Sequence, residues 1–340
     1  MSVALYRKYR PQEFAAVKDQ DHIVSVLEGA IKKGEIPHAL LFAGGRGTGK
    51  TTLARIFARA IGATDVDIYE IDAASNRGID DIRELREAVQ TVPYESPYKV
   101  YIIDEVHMLT KEAFDALLKT LEEPPAHLVF LLATTEEEKL LDTIRSRCQV
   151  FRFRSPSQMV LTQTVQEVAH AEGYQLTNDA AQLIALAADG SFRDALGVTQ
   201  KVLLASGDTV GSADEVAHII GAPRQETMHS FLRALAKQDT EAALAAIETA
   251  VANQSDMQIF LRVALEDIRT AVLARYGSPA AEAATAGDTA KANLLKELAE
   301  QYGQTINSHT IKHLLTAAER ISKSPIPHLP LEVAVLDITE

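Results

Sequence analysis

Residues 44–51 read Gly44-Gly45-Arg46-Gly47-Thr48-Gly49-Lys50-Thr51, a complete Gly-x4-Gly-Lys-Thr phosphate loop, and no other stretch of the chain restricts its fold so far. The apolar run Ala39-Leu40-Leu41-Phe42-Ala43 precedes it, and the helix-like Thr52-Leu53-Ala54-Arg55-Ile56-Phe57-Ala58-Arg59 follows. A polyphosphate needs backbone N–H donors at bonding distance, which glycine's size and backbone freedom permit, and a helix N-terminus adds partial positive charge. Lys50 is then placed to neutralise the β- and γ-phosphates, and the Thr51 hydroxyl to hold Mg²⁺. A glycine turn ahead of an ordinary helix is the plainer alternative. It does not require every fixed letter in a strand-loop-helix context, so the residues from Gly44 to Thr52 are read as nucleotide contacts.

A nucleotide-hydrolysing site also needs acids at a strand end, and Lys99-Val100-Tyr101-Ile102-Ile103-Asp104-Glu105 supplies them after four apolar residues suited to a strand buried on both faces. Asp104 is placed to accept hydrogen bonds from Mg²⁺-bound water. Glu105 is placed to orient and deprotonate the attacking water, because phosphoryl transfer rests on positioning and charge neutralisation. Two acids capping the next helix would be the bland alternative for this strand end taken alone.

The first 150 residues alternate helix-like and strand-like segments, which predicts a parallel sheet with helices on both faces. Expected strands are His38 to Phe42, Asp67 to Ile71, Lys99 to Asp104, Leu128 to Thr134 and Gln149 to Arg152; expected helices include His22 to Lys33, Ile79 to Val89 and Lys111 to Glu122. After Ser155-Pro156 the strand signals largely stop. Apolar residues then recur at helical spacing in Ala180 to Ala188, Phe231 to Ala236 and Ile259 to Val272. Gly221-Ala222-Pro223 interrupts the pattern and Ser278 to Ala290 reads as an exposed loop. The expected domains are therefore 1–155, a nucleotide-binding domain; 156–221, a small helical domain; and 222–340, a second helical domain.

No apolar run approaches the 18 or more residues a membrane span requires, and the N-terminus lacks a signal-peptide core, so a cytoplasmic protein with no membrane partner is expected. One cysteine, Cys148, excludes an internal disulfide and a multi-cysteine metal site. The net charge of −13 argues against a surface that coats nucleic acid as a whole. A local basic lining is compatible with it, since exposed charges beyond about 10 Å are screened.

Several stretches besides the two motifs resemble one family. Tyr6-Arg7-Lys8-Tyr9-Arg10-Pro11, Gln20-Asp21-His22, Ile103-Asp104-Glu105-Val106-His107-Met108-Leu109, Leu117-Leu118-Lys119-Thr120-Leu121-Glu122-Glu123-Pro124-Pro125, Ser146-Arg147-Cys148 and Gly190-Ser191-Phe192-Arg193-Asp194 look like the gamma/tau family of bacterial DNA polymerase III clamp-loader ATPases. The likeness runs over essentially the whole chain. It implies an α/β AAA+ fold, a parallel-sheet phosphate-loop domain with a small helical lid and a C-terminal all-helical collar. It also implies a subunit of a hetero-pentamer that binds ATP and Mg²⁺, opens a ring-shaped sliding clamp, places it around primer-template DNA and releases it on hydrolysis, with polymerase as a further partner.

The same resemblance implies residue roles. Arg147 becomes an arginine finger reaching the ATP of a neighbouring subunit, and Arg193 a lid arginine that reports the γ-phosphate. Tyr6, Arg7, Tyr9, Arg10 and Pro11 match the segment that packs around the base and phosphates. Either Thr134 or Thr135 is the polar sensor beside the catalytic water, since alternation along a strand turns only one of two neighbours toward the site; Thr135 is favoured. Arg77 and Lys111, at matching helix starts, are candidates for touching the phosphates of duplex DNA. Ordinary solvated charge is the competing reading of both.

The chain departs from the family where relatives carry a four-cysteine zinc module, having only Gly62-Ala63-Thr64-Asp65-Val66 there, so no zinc is expected. Two other functions fit parts of the sequence. A non-hydrolysing clamp-loader scaffold would be expected to lose part of the phosphate loop or its acids, all intact here. A replication factor C-like loader generally carries an Asp-Glu-Ala-Asp type of second motif, whereas this chain has Val106-His107; another AAA+ DNA motor would translocate along DNA, and the Ser146-Arg147-Cys148 and gamma/tau stretches favour loading instead.

Overall fold

The computed structural model describes residues 3–75, 85, 87–206, 211–278 and 289–339. The chain divides into two compact units, residues 1–160 with Gly190–Asp194, and Leu161–Asp189 with Ala195–Glu340.

The first unit is built on a five-stranded sheet. Its strands are β1 (Ala39–Ala43), β2 (Ile68–Asp72), β3 (Lys99–Asp104), β4 (Leu128–Thr134) and β5 (Gln149–Arg152). Their spatial order is β2-β3-β4-β1-β5 and every pairing is parallel. All residues of β1 and β4 are buried, as are the first five of β3, which is why these segments read as unbroken apolar runs. Alternation then divides the core. Leu40, Phe42, Ile102 and Leu131 pack with Ile23 and Leu27 of the Asp21–Lys33 helix and with Leu53 and Phe57 of the Lys50–Ala60 helix. Leu41, Ile103, Phe130 and Leu132 pack on the other face with Phe114, Leu117 and Leu121 of the Lys111–Glu122 helix. Thr110 starts that helix by accepting the Ala113 N–H at 3.2 Å.

The strands and helices fall where the residues predict, with ends displaced by one residue. β1 begins at Ala39 rather than His38, β2 runs Ile68–Asp72 rather than Asp67 to Ile71, and the helix expected from His22 begins at Asp21. Asp67 is drawn out of the strand by its own side chain, which accepts the backbone N–H groups of Tyr94, Glu95 and Ser96. Burial would raise its pKa, but those donors outweigh it and hold the carboxyl below its usual range. The helix expected over Ile79 to Val89 lies mostly outside the described residues; Leu85, Glu87 and Ala88 are helical.

Within the second unit, helices at Asn178–Ala187, Gln225–Ala236 and Met257–Arg275 carry the three periodic segments, the first of which ends one residue beyond its helix, at the C-cap Ala188. Capping explains where they begin: Thr177 accepts from the Ala180 N–H, and Asp256 accepts from Gln258 and Ile259. Gly221, at φ 73°, ends the Ala213–Ile220 helix in the left-handed conformation. The core of this unit packs Phe231 edge-on to Phe260 at 5.0 Å and gathers apolar residues from Met228 to Ile338. Arg275 donates to the carbonyls of Ala299, Gly303 and Ile306, fixing the turn between the Thr289–Gln301 and Ser308–Ile321 helices. Of the loop expected over Ser278 to Ala290, residues 279–288 lie outside the described residues, while residues 289 and 290 already belong to a helix. Among the described residues no helix is long and apolar enough to cross a membrane.

Candidate nucleotide site

The strand order determines which side chains can meet. β4 lies between β1, which delivers the phosphate loop, and β3, which delivers the acids. At the carboxyl ends of these strands the Gly44 N–H donates to the Thr134 carbonyl at 3.2 Å, tying the start of the loop to the end of β4.

The loop is shaped by glycine at positions other residues could not take. Gly47 and Gly49 lie at φ 70° and 102°. A Cβ on Gly47 would fall 1.9 Å from the Ser191 hydroxyl oxygen, so the close approach of Ser191 requires the missing side chain. Lys50 is 6 % exposed, and its ammonium donates to the Gly44 and Gly45 carbonyls, each at 2.8 Å. Burial lowers its pKa, while the carboxylates of Glu105 and then Asp104 act in the opposite sense. Thr48 donates to the Gly45 carbonyl at 2.9 Å and bridges the loop; Arg46 is exposed.

The Thr51 hydroxyl donates to Asp104 Oδ2 at 2.8 Å. Two hard oxygens so joined, beside a buried lysine and a glycine cradle, match the donor set for a magnesium-bound polyphosphate, with Thr51 and Asp104 as the residues that would hold the ion or its water. Glu105 follows with a backbone φ of 48°, a conformation uncommon outside glycine, in which its N–H donates to Asp104 Oδ1 at 3.0 Å. Thr135 donates to Glu105 Oε2 at 2.8 Å. Thr134, 0 % exposed, bonds instead to His107 Nδ1 at 2.9 Å. Of the two adjacent threonines, Thr135 is the one that touches Glu105.

A cavity of about 420 Å³ beside the Lys50–Ala60 helix is lined by Tyr6, Arg7, Arg10, Pro11, Arg55 and Arg193, among others. The Arg193 guanidinium stands 5.1 Å from the centre of the Tyr6 ring. Arg10 has its pKa lowered, first by burial and then by the like charge of Arg55. Five arginines, Arg7, Arg10, Arg55, Arg59 and Arg193, line this wall, and with Arg55 paired to Glu70 at 2.5 Å and Arg59 to Asp65 at 3.0 Å it remains cationic, which suits an anionic ligand. Tyr9 does not line the cavity; the Lys8 ammonium stands 5.4 Å from its ring centre. Arg55 was not singled out in the sequence. Its place on the helix that leaves the phosphate loop was the available signal.

Arg147 is not brought to this site. It precedes the amino end of β5, which pairs in parallel with β1, and so lies at the opposite end of these strands from the phosphate loop. Its guanidinium donates to the Thr143 carbonyl at 2.7 Å and pairs with Glu122 at 2.6 Å. Lys111 is exposed on the first turn after Thr110, and Arg77 lies outside the described residues. Beside Arg147, burial pushes the Cys148 thiol up to about 12. Iodoacetamide at pH 8 is therefore expected to leave Cys148 unmodified over the time in which the unfolded chain is fully labelled, as read by intact mass, because the thiolate is the reactive form.

Comparison with known proteins gives these features a family. The family model for the DNA polymerase III delta subunit matches residues 62–157, that for the DNA polymerase III clamp loader subunit ATPase lid domain matches 160–207, and that for DNA polymerase III subunits gamma and tau domain III matches 211–340. DNA polymerase III subunit tau of Bacillus subtilis is 42% identical over 262 residues, 71% of this chain and 46% of the relative. The tau subunit of Escherichia coli is 35% identical over 354 residues, 98% of this chain and 54% of the relative. The chain thus spans about half the length of these curated relatives. Among solved structures, the Thermotoga maritima RuvB Holliday junction branch migration motor is similar at a TM-score of 0.53 and 23% identity, over 67% of this chain and 79% of that one, a likeness of fold. With the parallel sheet, the helical lid match and the gamma/tau match that follows it, the fold is that of an AAA+ protein, and the chain belongs to the gamma/tau family of DNA polymerase III subunits.

Proposed function

We propose that this chain is an ATP-hydrolysing subunit of a replicative clamp loader, in which ATP binding drives opening of a sliding clamp and its placement on primer-template DNA and hydrolysis releases it. The observation that carries the reading is the meeting of Lys50, the Thr51–Asp104 pair and the Thr135–Glu105 pair at the ends of three adjacent parallel strands. Lys50 neutralises the β- and γ-phosphates, and Thr51 with Asp104 holds Mg²⁺, which when bound supplies charge neutralisation along the phosphates. Glu105 orients the attacking water and takes its proton, and Thr135 fixes that carboxylate. The cationic cavity around Tyr6, Arg10 and Arg193 receives the remainder of the nucleotide. Arg147 acts on the nucleotide of a neighbour in a hetero-pentamer, and Arg77 and Lys111 face the DNA phosphates. The division at 1–155, 156–221 and 222–340 belongs to this proposal, the last segment serving as collar.

The match of residues 62–157 to a delta-subunit model favours a second reading, a scaffold subunit that donates Arg147 and hydrolyses nothing. Steady-state ATPase activity of the complex reconstituted with clamp and primed DNA separates the two. Strong stimulation by clamp plus primed DNA supports the motor; no turnover dependent on this chain's Lys50 supports the scaffold. In the same assay Lys50→Ala is expected to weaken nucleotide binding about 100-fold or more, the loss of charge-assisted bonds to phosphate from a desolvated site. Unchanged ATP affinity in that variant would remove the site assignment.

A further inference from the structure

His107 is almost enclosed, its side chain 5 % exposed, and both ring nitrogens face acceptors. Nδ1 is 2.9 Å from Thr134 Oγ1 and 3.4 Å from Glu105 Oε2, and Nε2 is 3.2 Å from Glu136 Oε1. Thr134 in turn accepts the Glu136 N–H at 3.0 Å. The imidazole therefore sits on the strand end of β4 and is braced on both sides, by the threonine that closes the strand and by the acid that follows it.

The two oxygens of Glu105 are not equivalent in this arrangement. Oε2 receives the Thr135 hydroxyl at 2.8 Å and lies against His107 Nδ1, whereas among the described residues no protein group bonds to Oε1. A carboxylate on a left-handed backbone position, at φ 48°, has no helix or strand register to aim it. Its direction must come from the side chains around it. We infer that His107 is a positioning residue for hydrolysis: with Thr135 it holds Oε2 of Glu105 so that Oε1 is the oxygen presented to the attacking water. The inference deepens the proposed ATPase reading and rests on it. In this role His107 acts on kcat through Glu105 and leaves substrate binding alone.

The test uses the reconstituted complex with wild type, His107→Asn, His107→Ala, Glu105→Gln and the double variant His107→Asn with Glu105→Gln. His107→Asn is expected to lower kcat about tenfold or more, with KM for ATP and Kd for a non-hydrolysable analogue within about threefold of wild type. In the Glu105→Gln background the same substitution is expected to have no further effect, because there is no longer a base to aim. His107→Ala is expected to fall below His107→Asn, since an amide still reaches Thr134. Should His107→Ala not fold, the Asn variant and the double variant carry the test. An unchanged kcat in His107→Asn, a Kd that weakens in step with kcat, or an equal loss in the Glu105→Gln background overturns the inference while the ATPase reading stands. Absence of Lys50-dependent turnover in the wild-type complex overturns both.

Discussion

Glu105→Gln is expected to bind ATP within a few-fold of wild type and to hydrolyse it about 10²- to 10⁴-fold more slowly, the range removed with a positioned general base. The substitution keeps size and shape and removes only the charge and the capacity to accept a proton. Thr135 can still donate to the amide oxygen in place of Glu105 Oε2, now at 2.8 Å, so the side chain is not set loose. The backbone at φ 48° is unchanged, and Tm should move little. The charges of Glu105 and Asp104 both favour protonated Lys50; the variant removes the first and keeps the second, and the Lys50 bonds to Gly44 and Gly45 persist. Binding and chemistry should therefore separate: single-turnover hydrolysis falls, and the complex accumulates in its nucleotide-bound, clamp-bound form. If ATP affinity fell as far as turnover, Glu105 would be serving the nucleotide's phosphates or its ion rather than the water, and the division of labour with Asp104 would be wrong.

The features legible in the sequence are those that a short stretch of chain determines by itself. The phosphate loop needs its glycines and lysine at fixed spacing, and β1, β3 and β4 are buried on both faces, so each announces itself as an apolar run. Strand ends were off by one where a side chain competed with the ladder, as Asp67 does by capturing three N–H groups of a distant turn. Alternation leaves Thr134 and Thr135 open, and the choice between them depends on Glu105, which follows β3 and is 30 residues away from Thr135. The local sequence gives His107 no role because Thr134, which bonds its Nδ1, lies 27 residues on at the end of β4, and no local spacing encodes that meeting. Arg55 is a similar case: apart from Ile56 and Arg59 on its own helix, the residues that line the cavity with it stand near the N-terminus and at position 193. Topology rather than periodicity assembles the wall.

Arg147→Ala is expected to leave ATP binding by the isolated chain unchanged and to reduce turnover of the assembled complex by about 10³-fold or more, the effect of removing an arginine finger from phosphoryl transfer. The geometry forces the separation. β1 has five residues, about 16 Å of strand at about 3.3 Å each, and Arg147 precedes the amino end of β5 while the phosphate loop follows the carboxyl end of β1. A guanidinium there cannot serve its own chain's γ-phosphate without dismantling the sheet. Its present partners are replaceable. The pair with Glu122 is a surface ion pair with Arg147 33 % exposed, a class of contact worth at most about 1 kcal/mol, so exchanging Glu122 for a phosphate on a neighbouring chain costs the subunit little. Arg147→Lys should recover only a small part of the loss, because an ammonium lacks the planar fork that reaches two phosphate oxygens at once. Hydrolysis would then depend on assembly, since each site is completed only when the next chain is in place. A fall in ATP affinity of the isolated Arg147→Ala chain would mean that the residue acts within its own subunit, and turnover in the complex would lose its dependence on the neighbour.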